Sequence, residues 1–186
     1  MQDQLQNQFL VKELAVSGQV FEINSKINKF KELANIVEAD LAALDSDELP
    51  AMWSESEITG VLKFDLAGTE NCFPIMTGNI TANIDAVCQR CLEIMKIKIQ
   101  IEPKLALLEL GETIDGYDEF EVWELPELKF RLNEIIEELL IMALPLSTMH
   151  NNRSDCKAFT SYKNNKVNKE FTKPFATLRA EMLKNK

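Results

Sequence analysis

A single histidine, His150, stands among the 186 residues, and no Gly-rich phosphate loop, GxSxG or HExxH pattern is present. A chain so short of bases, nucleophiles and phosphate cradles has little material for catalysis. Glycine and proline number six each, which excludes collagen-like and low-complexity architectures. No apolar run approaches the roughly 20 residues of a membrane span. The longest, from Leu139 to Leu146, is interrupted by Pro145. The opening MQDQLQNQF has neither a basic region nor an apolar core, so no secretory signal is expected. With four cysteines and no export signal, the expected compartment is a reducing cytoplasm.

What is present is an ordinary globular composition, 46% hydrophobic and 27% charged, with charge unevenly distributed. The net charge is −10. Residues 1–145 carry 11 basic and 27 acidic side chains (−16), whereas residues 146–186 carry 9 and 3 (+6). An acidic body repels a nucleic-acid backbone at long range. Any contact with nucleic acid is therefore expected to be local, salt-sensitive and concentrated on the C-terminal segment.

Periodicity divides the chain. A strand over Gly18–Ile23 precedes a helix within residues 28–44, where Phe30, Leu33, Ile36 or Val37, Leu41 and Leu44 recur near the helical period. Pro50 marks a polar connector, with Trp53 expected to anchor it to the core. Three period-two runs follow, Ile58–Leu66, Met76–Ala86 and Met95–Ile101, the last stopped or edged by Pro103. Joined by short connections, they pair most simply as an antiparallel meander. Residues 109–127 are acidic and are expected to form a loop followed by a short strand, Phe120–Trp123. Pro126 suits a first helical position, and Leu128, Leu132, Ile135, Ile136, Leu139, Met142 and Ala143 form one stripe of a helix that Pro145 ends. The expected fold is α+β: an antiparallel β-meander sheet packed against one or two helices, with a flexible basic C-terminal tail. The expected division is a single domain over residues 1–150 and a tail over 151–186.

The sharpest local motif is Cys88-Gln89-Arg90-Cys91 between two strand-like runs. Two thiols at this spacing can clamp a metal or close a redox disulfide, or they can sit in a hairpin without either role. A structural zinc site needs four nitrogen or sulfur ligands, and Cys72, His150 and Cys156 are the other donors on offer. The metal option is thus Cys88, Cys91, His150 and Cys156. Thioredoxin-like chemistry would place the pair at a helix N-terminus, which this sequence does not. The carboxylates of 109–127 read as a solvated face. In the tail, Lys163, Lys166, Lys169 and Lys173 recur among asparagines, with Phe171, Phe175, Leu178 and Arg179 nearby. Charge interleaved with aromatic and apolar groups suits a segment that orders on RNA, and equally a solubilising tail. The candidate RNA- or partner-binding residues are Lys163, Lys166, Lys169, Lys173, Phe175 and Arg179.

Four separated segments, in order, carry a resemblance: CQRCLE at 88–93, EELLIMALPLSTMH at 137–150, Cys156, and KPFATLRAEMLK at 173–184. Together they resemble the YceD family of bacterial large ribosomal RNA subunit accumulation proteins. The resemblance spans roughly residues 58–184. It implies a non-enzymatic role in the synthesis, processing or stability of large-subunit (23S) ribosomal RNA in the cytoplasm. The implied partners are that RNA or its precursor particle, with ribosomal proteins or processing factors, and no membrane. It carries over no catalytic residue and no required cofactor. Zinc stays an option, since many relatives have a richer cysteine set where this chain has only His150 and Cys156. The alternative is a small zinc-binding or thiol-redox protein using Cys88 and Cys91.

Overall fold

The computed structural model describes residues 5–156 apart from 45, 46, 48, 69–71 and 115. Its centre is the expected meander, extended at both ends. Strands β2 (Val20–Lys26), β3 (Glu57–Ala67), β4 (Phe73–Val87) and β5 (Ile94–Ile101) pair antiparallel in succession. Period-two patterning fixes the register: Ile58, Leu62 and Phe64 of β3 and Met76, Ile80, Ala82 and Ile84 of β4 are buried on one face, with Thr59, Lys63, Asn79 and Asn83 opposite. β3 and β4 approach so closely that a Cβ at Gly60 would lie 2.2 Å from the Asn79 carbonyl oxygen.

β5 ends at Ile101, before Pro103, as the proline's sequence position suggests, but the ladder does not end there. β6 (Lys104–Leu108) continues along β4 in the register of β5, with Ile80 opposite Ile101 and Thr77 opposite Lys104. Proline removes one donor, and the strand resumes beyond it. β7 (Glu121–Glu124) then pairs with β6 in parallel, the one parallel pair in the sheet among the described residues. The acidic stretch before β7 is tethered where Tyr117 and Phe120 meet Phe73 edge-on, with ring centroids 4.9 and 6.2 Å apart.

Helices cover the buried face. α1 (Val11–Ser17) was not legible in the periodicity, being only two turns long. α2 (Lys31–Leu41) buries Leu33, Val37 and Leu41, and α3 (Leu132–Met142) buries Leu132, Ile135, Ile136, Leu139 and Leu140. α3 begins later than the Pro126 signal suggests. Pro126 opens a single 3-10 turn, Leu128 adopts φ 47°, and Lys129–Arg131 becomes β8, which pairs with β1 (Gln8–Leu10). That ribbon docks through four rings: Phe9 against Phe21 and Phe130, and Phe64 against Phe21 and Phe130. Trp53 packs on the same core, as expected.

The two long helices are tied by one carboxylate. α2 has no side-chain cap of its own, and Glu137 Oε1 from α3 accepts from the N–H groups of Glu32 (2.6 Å) and Leu33 (3.0 Å). A negative charge on otherwise unpaired N–H donors at a helix start stabilises both partners. α2 is fixed at its other end too, because Asp40 Oδ2 accepts from the Val87 N–H at 2.8 Å. Val87 is the last residue of β4, immediately before Cys88, so the core's geometry passes directly to the cysteine pair.

Candidate functional site

The turn that follows β4 is built by its own backbone. The Cys88 N–H donates to the Glu93 carbonyl (2.9 Å) and the Leu92 N–H to the Cys88 carbonyl (2.8 Å), which folds Cys88–Glu93 into a compact loop. Closing it requires φ 59° at Leu92, directly after the second cysteine. Such a conformation is strained for a non-glycine residue and signals a local constraint.

A second segment, residues 147–150, is laid against this loop after Pro145 has ended α3. The Gln89 N–H donates to the Thr148 carbonyl (2.8 Å), Ser147 Oγ donates to Gln89 Oε1 (2.8 Å), and Thr148 Oγ1 donates to the Val87 carbonyl. These bonds deliver His150 to the cysteines. Nδ1 of His150 lies 3.5 Å from Cys91 Sγ and 3.6 Å from Cys156 Sγ, and the ligating atoms of Cys88, Cys91, His150 and Cys156 all lie within 4.8 Å of one another. Cys88 and Cys156 are fully buried.

The donor set has the dimensions of a tetrahedral zinc site. Bond lengths of about 2.3 Å to sulfur and about 2.0–2.1 Å to nitrogen at tetrahedral angles put sulfur and nitrogen about 3.6 Å apart. The two sulfur–nitrogen distances agree with that value. Three thiols and one imidazole are a Cys3His set, a structural zinc class in which every coordination position is taken by protein. Such a closed set leaves no place for an activated water, so it suits a staple and not a hydrolytic centre.

The surrounding groups act oppositely on the two thiols of the CxxC. Burial pushes the Cys88 thiol up, but N–H groups of His150, Arg90 and Cys91 aimed at the sulfur outweigh it and hold it at about 6. Burial drives the Cys91 thiol the other way, to about 11, with the neighbouring Cys88 and Cys156 thiols adding to the rise. Arg90 reaches across the cluster, with Nη1 3.9 Å from Cys156 Sγ and Nη2 3.5 Å from Met149 Sδ. Three thiolates around a divalent cation would leave one net negative charge, and the guanidinium stands where that charge would be offset.

The four residues assembled here are the metal set expected from sequence. Cys72 is not among them: it is exposed at the far end of β4, and its thiol donates to the Gly68 carbonyl at 3.4 Å. The expected binding residues Lys163, Lys166, Lys169, Lys173, Phe175 and Arg179, and all of the expected tail 151–186 beyond residue 156, lie outside the described residues. Sequence reasoning missed Arg90 as a partner of Cys156, and it missed the bonds from Gln89 and Val87 to residues 147–148. Only the CxxC itself hinted that something must close over it.

The model of the family described as Large ribosomal RNA subunit accumulation protein YceD matches residues 76–180, more than half of the chain. The chain belongs to the YceD family. The YceD match opens within β4 and runs through all four donors and α3 into the segment after Cys156. No curated protein and no solved structure matches the chain. The family description ties its members to accumulation of the large ribosomal RNA. Among the described residues, no helix is long and apolar enough to cross a membrane.

Proposed function

We propose that this chain is a non-enzymatic ribosome biogenesis factor that supports synthesis, processing or stability of 23S ribosomal RNA by binding the assembling large subunit. The observation carrying this reading is the family match, which includes the whole donor cluster and most of the basic segment after it. Cys88, Cys91, His150 and Cys156 would hold one zinc ion. Bound there, zinc supplies a crosslink between the β4–β5 turn and the chain that leaves α3. The cluster would thereby fix the point from which residues 157–186, with 8 basic and 2 acidic side chains, depart from an acidic body. Charge then directs the contact, since phosphates are attracted to that segment and repelled by the rest.

A thiol-redox role is less well supported. A third thiol and an imidazole crowd the Cys88–Cys91 pair, which sits in a strand-to-strand turn and not at a helix N-terminus. Deleting residues 160–186 is expected to leave the melting temperature unchanged and to abolish co-sedimentation with large-subunit precursor particles. Undiminished co-sedimentation of the truncated chain at raised salt would contradict the role given to that segment.

A further inference from the structure

β7 ends the six-stranded sheet: β6 pairs with one of its sides, and among the described residues no strand pairs with the other. The Leu125 N–H donates to the Leu108 carbonyl at 2.8 Å, and backbone groups alternate in direction along a strand. Glu121, Trp123 and Leu125 therefore turn their N–H and C=O groups to β6, while Val122 and Glu124 turn theirs outward. Val122 is 46% exposed and both glutamates of the strand are exposed, so this edge is open to solvent. An unpaired edge of this kind is a template for another chain.

Alongside the edge lies a groove of about 420 Å³ between β7, the β1–β8 ribbon and α3. Trp123 packs on the main core, on the side of the sheet that α3 covers, so the strand register turns it into this groove. Leu125 adds to the apolar wall, and Glu134 and Glu138, one turn apart on α3, supply carboxylates. Glu134 already holds Arg131 at 2.8 Å, whereas Glu138 and the Trp123 indole N–H have no protein partner among the described residues. Lys129, the basic residue of the wall, is already partnered. An indole and a free carboxylate lining one groove suit the stem and the charge of a lysine or arginine.

We propose that β7 takes an extended, lysine- or arginine-bearing segment of a basic partner protein as an added strand, with a cationic side chain of that segment entering the groove. Its backbone would pair with the outward groups of Val122 and Glu124, and alternate side chains would face Trp123 and Glu138. Charge selects this occupant. Residues 104–145 carry 3 basic and 11 acidic side chains, which attract a basic protein segment and repel phosphate. A second copy fits poorly, because pairing β7 with itself about a two-fold axis sets Glu121 opposite Glu124. The chain's own basic stretch fits poorly too, since KNNKVNK at 163–169 consists, apart from Val167, of residue types depleted in strands. The inference is independent of the metal. It deepens the reading of the chain as a particle-binding factor and rests on that reading for where such a partner is met.

Fluorescence anisotropy of a labelled KVTVKVTVK peptide with the full chain at about 150 mM salt tests it. Two further peptides carry backbone N-methyl groups at alternate residues, one at the valines and the other at the lysines and threonines. Only one edge of an added strand faces β7, so one of the two is expected to bind about tenfold more weakly than the other. Equal affinities of the methylated pair would reduce the attraction to diffuse charge and overturn the proposal. Glu138→Gln is expected to weaken binding of the unmodified peptide about fivefold, and Asp118→Asn with Glu119→Gln, at exposed positions outside the groove, less than about twofold. Equal weakening by the groove variant and the control pair would also overturn it. Amide exchange at Val122 and Glu124 in the full chain is expected to slow about tenfold when the peptide is added. Slow exchange before any addition would assign the edge to the chain itself, as tail or second copy, and the same slowing by a 20-nucleotide oligouridine would assign it to RNA; either result overturns the proposal. A chain that co-sediments with precursor particles but ignores the peptide sinks the strand addition and leaves the ribosomal role intact. Peptide binding without co-sedimentation does the reverse.

Discussion

Cys88→Ser is expected to lower the melting temperature of the metal-loaded protein by about 8–16 °C and to remove about one zinc per chain. A ligand present at about 1,000 times its dissociation constant adds about 4 kcal/mol to the folded state. For a domain of this size, each kcal/mol moves the midpoint by about 2–4 °C. The chain already has a continuous hydrophobic core, so the fold should survive loss of the ion, unlike a small zinc finger. What should be lost is the docking of residues 147–156 on the β4–β5 turn. Calorimetry with elemental analysis checks this, and a chelator should bring the wild-type midpoint down to that of the variant. Cys72→Ser, at the far end of β4, should change neither quantity. A variant that melts with wild type, with both insensitive to chelator, would contradict the staple.

Phe64→Ala is expected to cost about 3–5 kcal/mol, the range for emptying a buried aromatic site. Phe64 is fully buried, stacked on Phe130 at 5.6 Å and edge-on to Phe21 at 5.8 Å. Through those rings it joins the meander to the β1–β8 ribbon, which has only three residues in each strand and cannot hold itself. Urea unfolding should show the midpoint falling with the slope unchanged. A loss below about 1 kcal/mol would mean that the ribbon docks by some other contact. Because Phe64 lies far from the cysteine turn in the sheet, metal content should be retained.

The meander, α2 and the greater part of α3 were legible because each buries one face of a regular element, which imposes period two or 3.6 on the sequence. The elements that were not legible are those whose pairing is nonlocal. Leu128 reads as the start of a helical stripe, and only the pairing of Phe130 with Phe9, more than a hundred positions earlier, turns Lys129–Arg131 into a strand. β6 was hidden because Pro103 is a strand breaker when read alone, whereas the β4 ladder tolerates one missing donor and continues. The site divides in the same way. Each cysteine and His150 could be named from residue type, but the 58 residues between Cys91 and His150 give no sign of closure. That depends on the Gln89–Thr148 bond and on where Pro145 stops α3.

X-ray absorption spectroscopy at the zinc edge of the protein purified without chelator tests the central claim most directly. Three sulfurs at about 2.3 Å and one nitrogen at about 2.0–2.1 Å, with about one zinc per chain, are expected for the cluster of Cys88, Cys91, His150 and Cys156. Protein with all four ligands free and no bound metal, or a Cys88–Cys91 disulfide in their place, would contradict it.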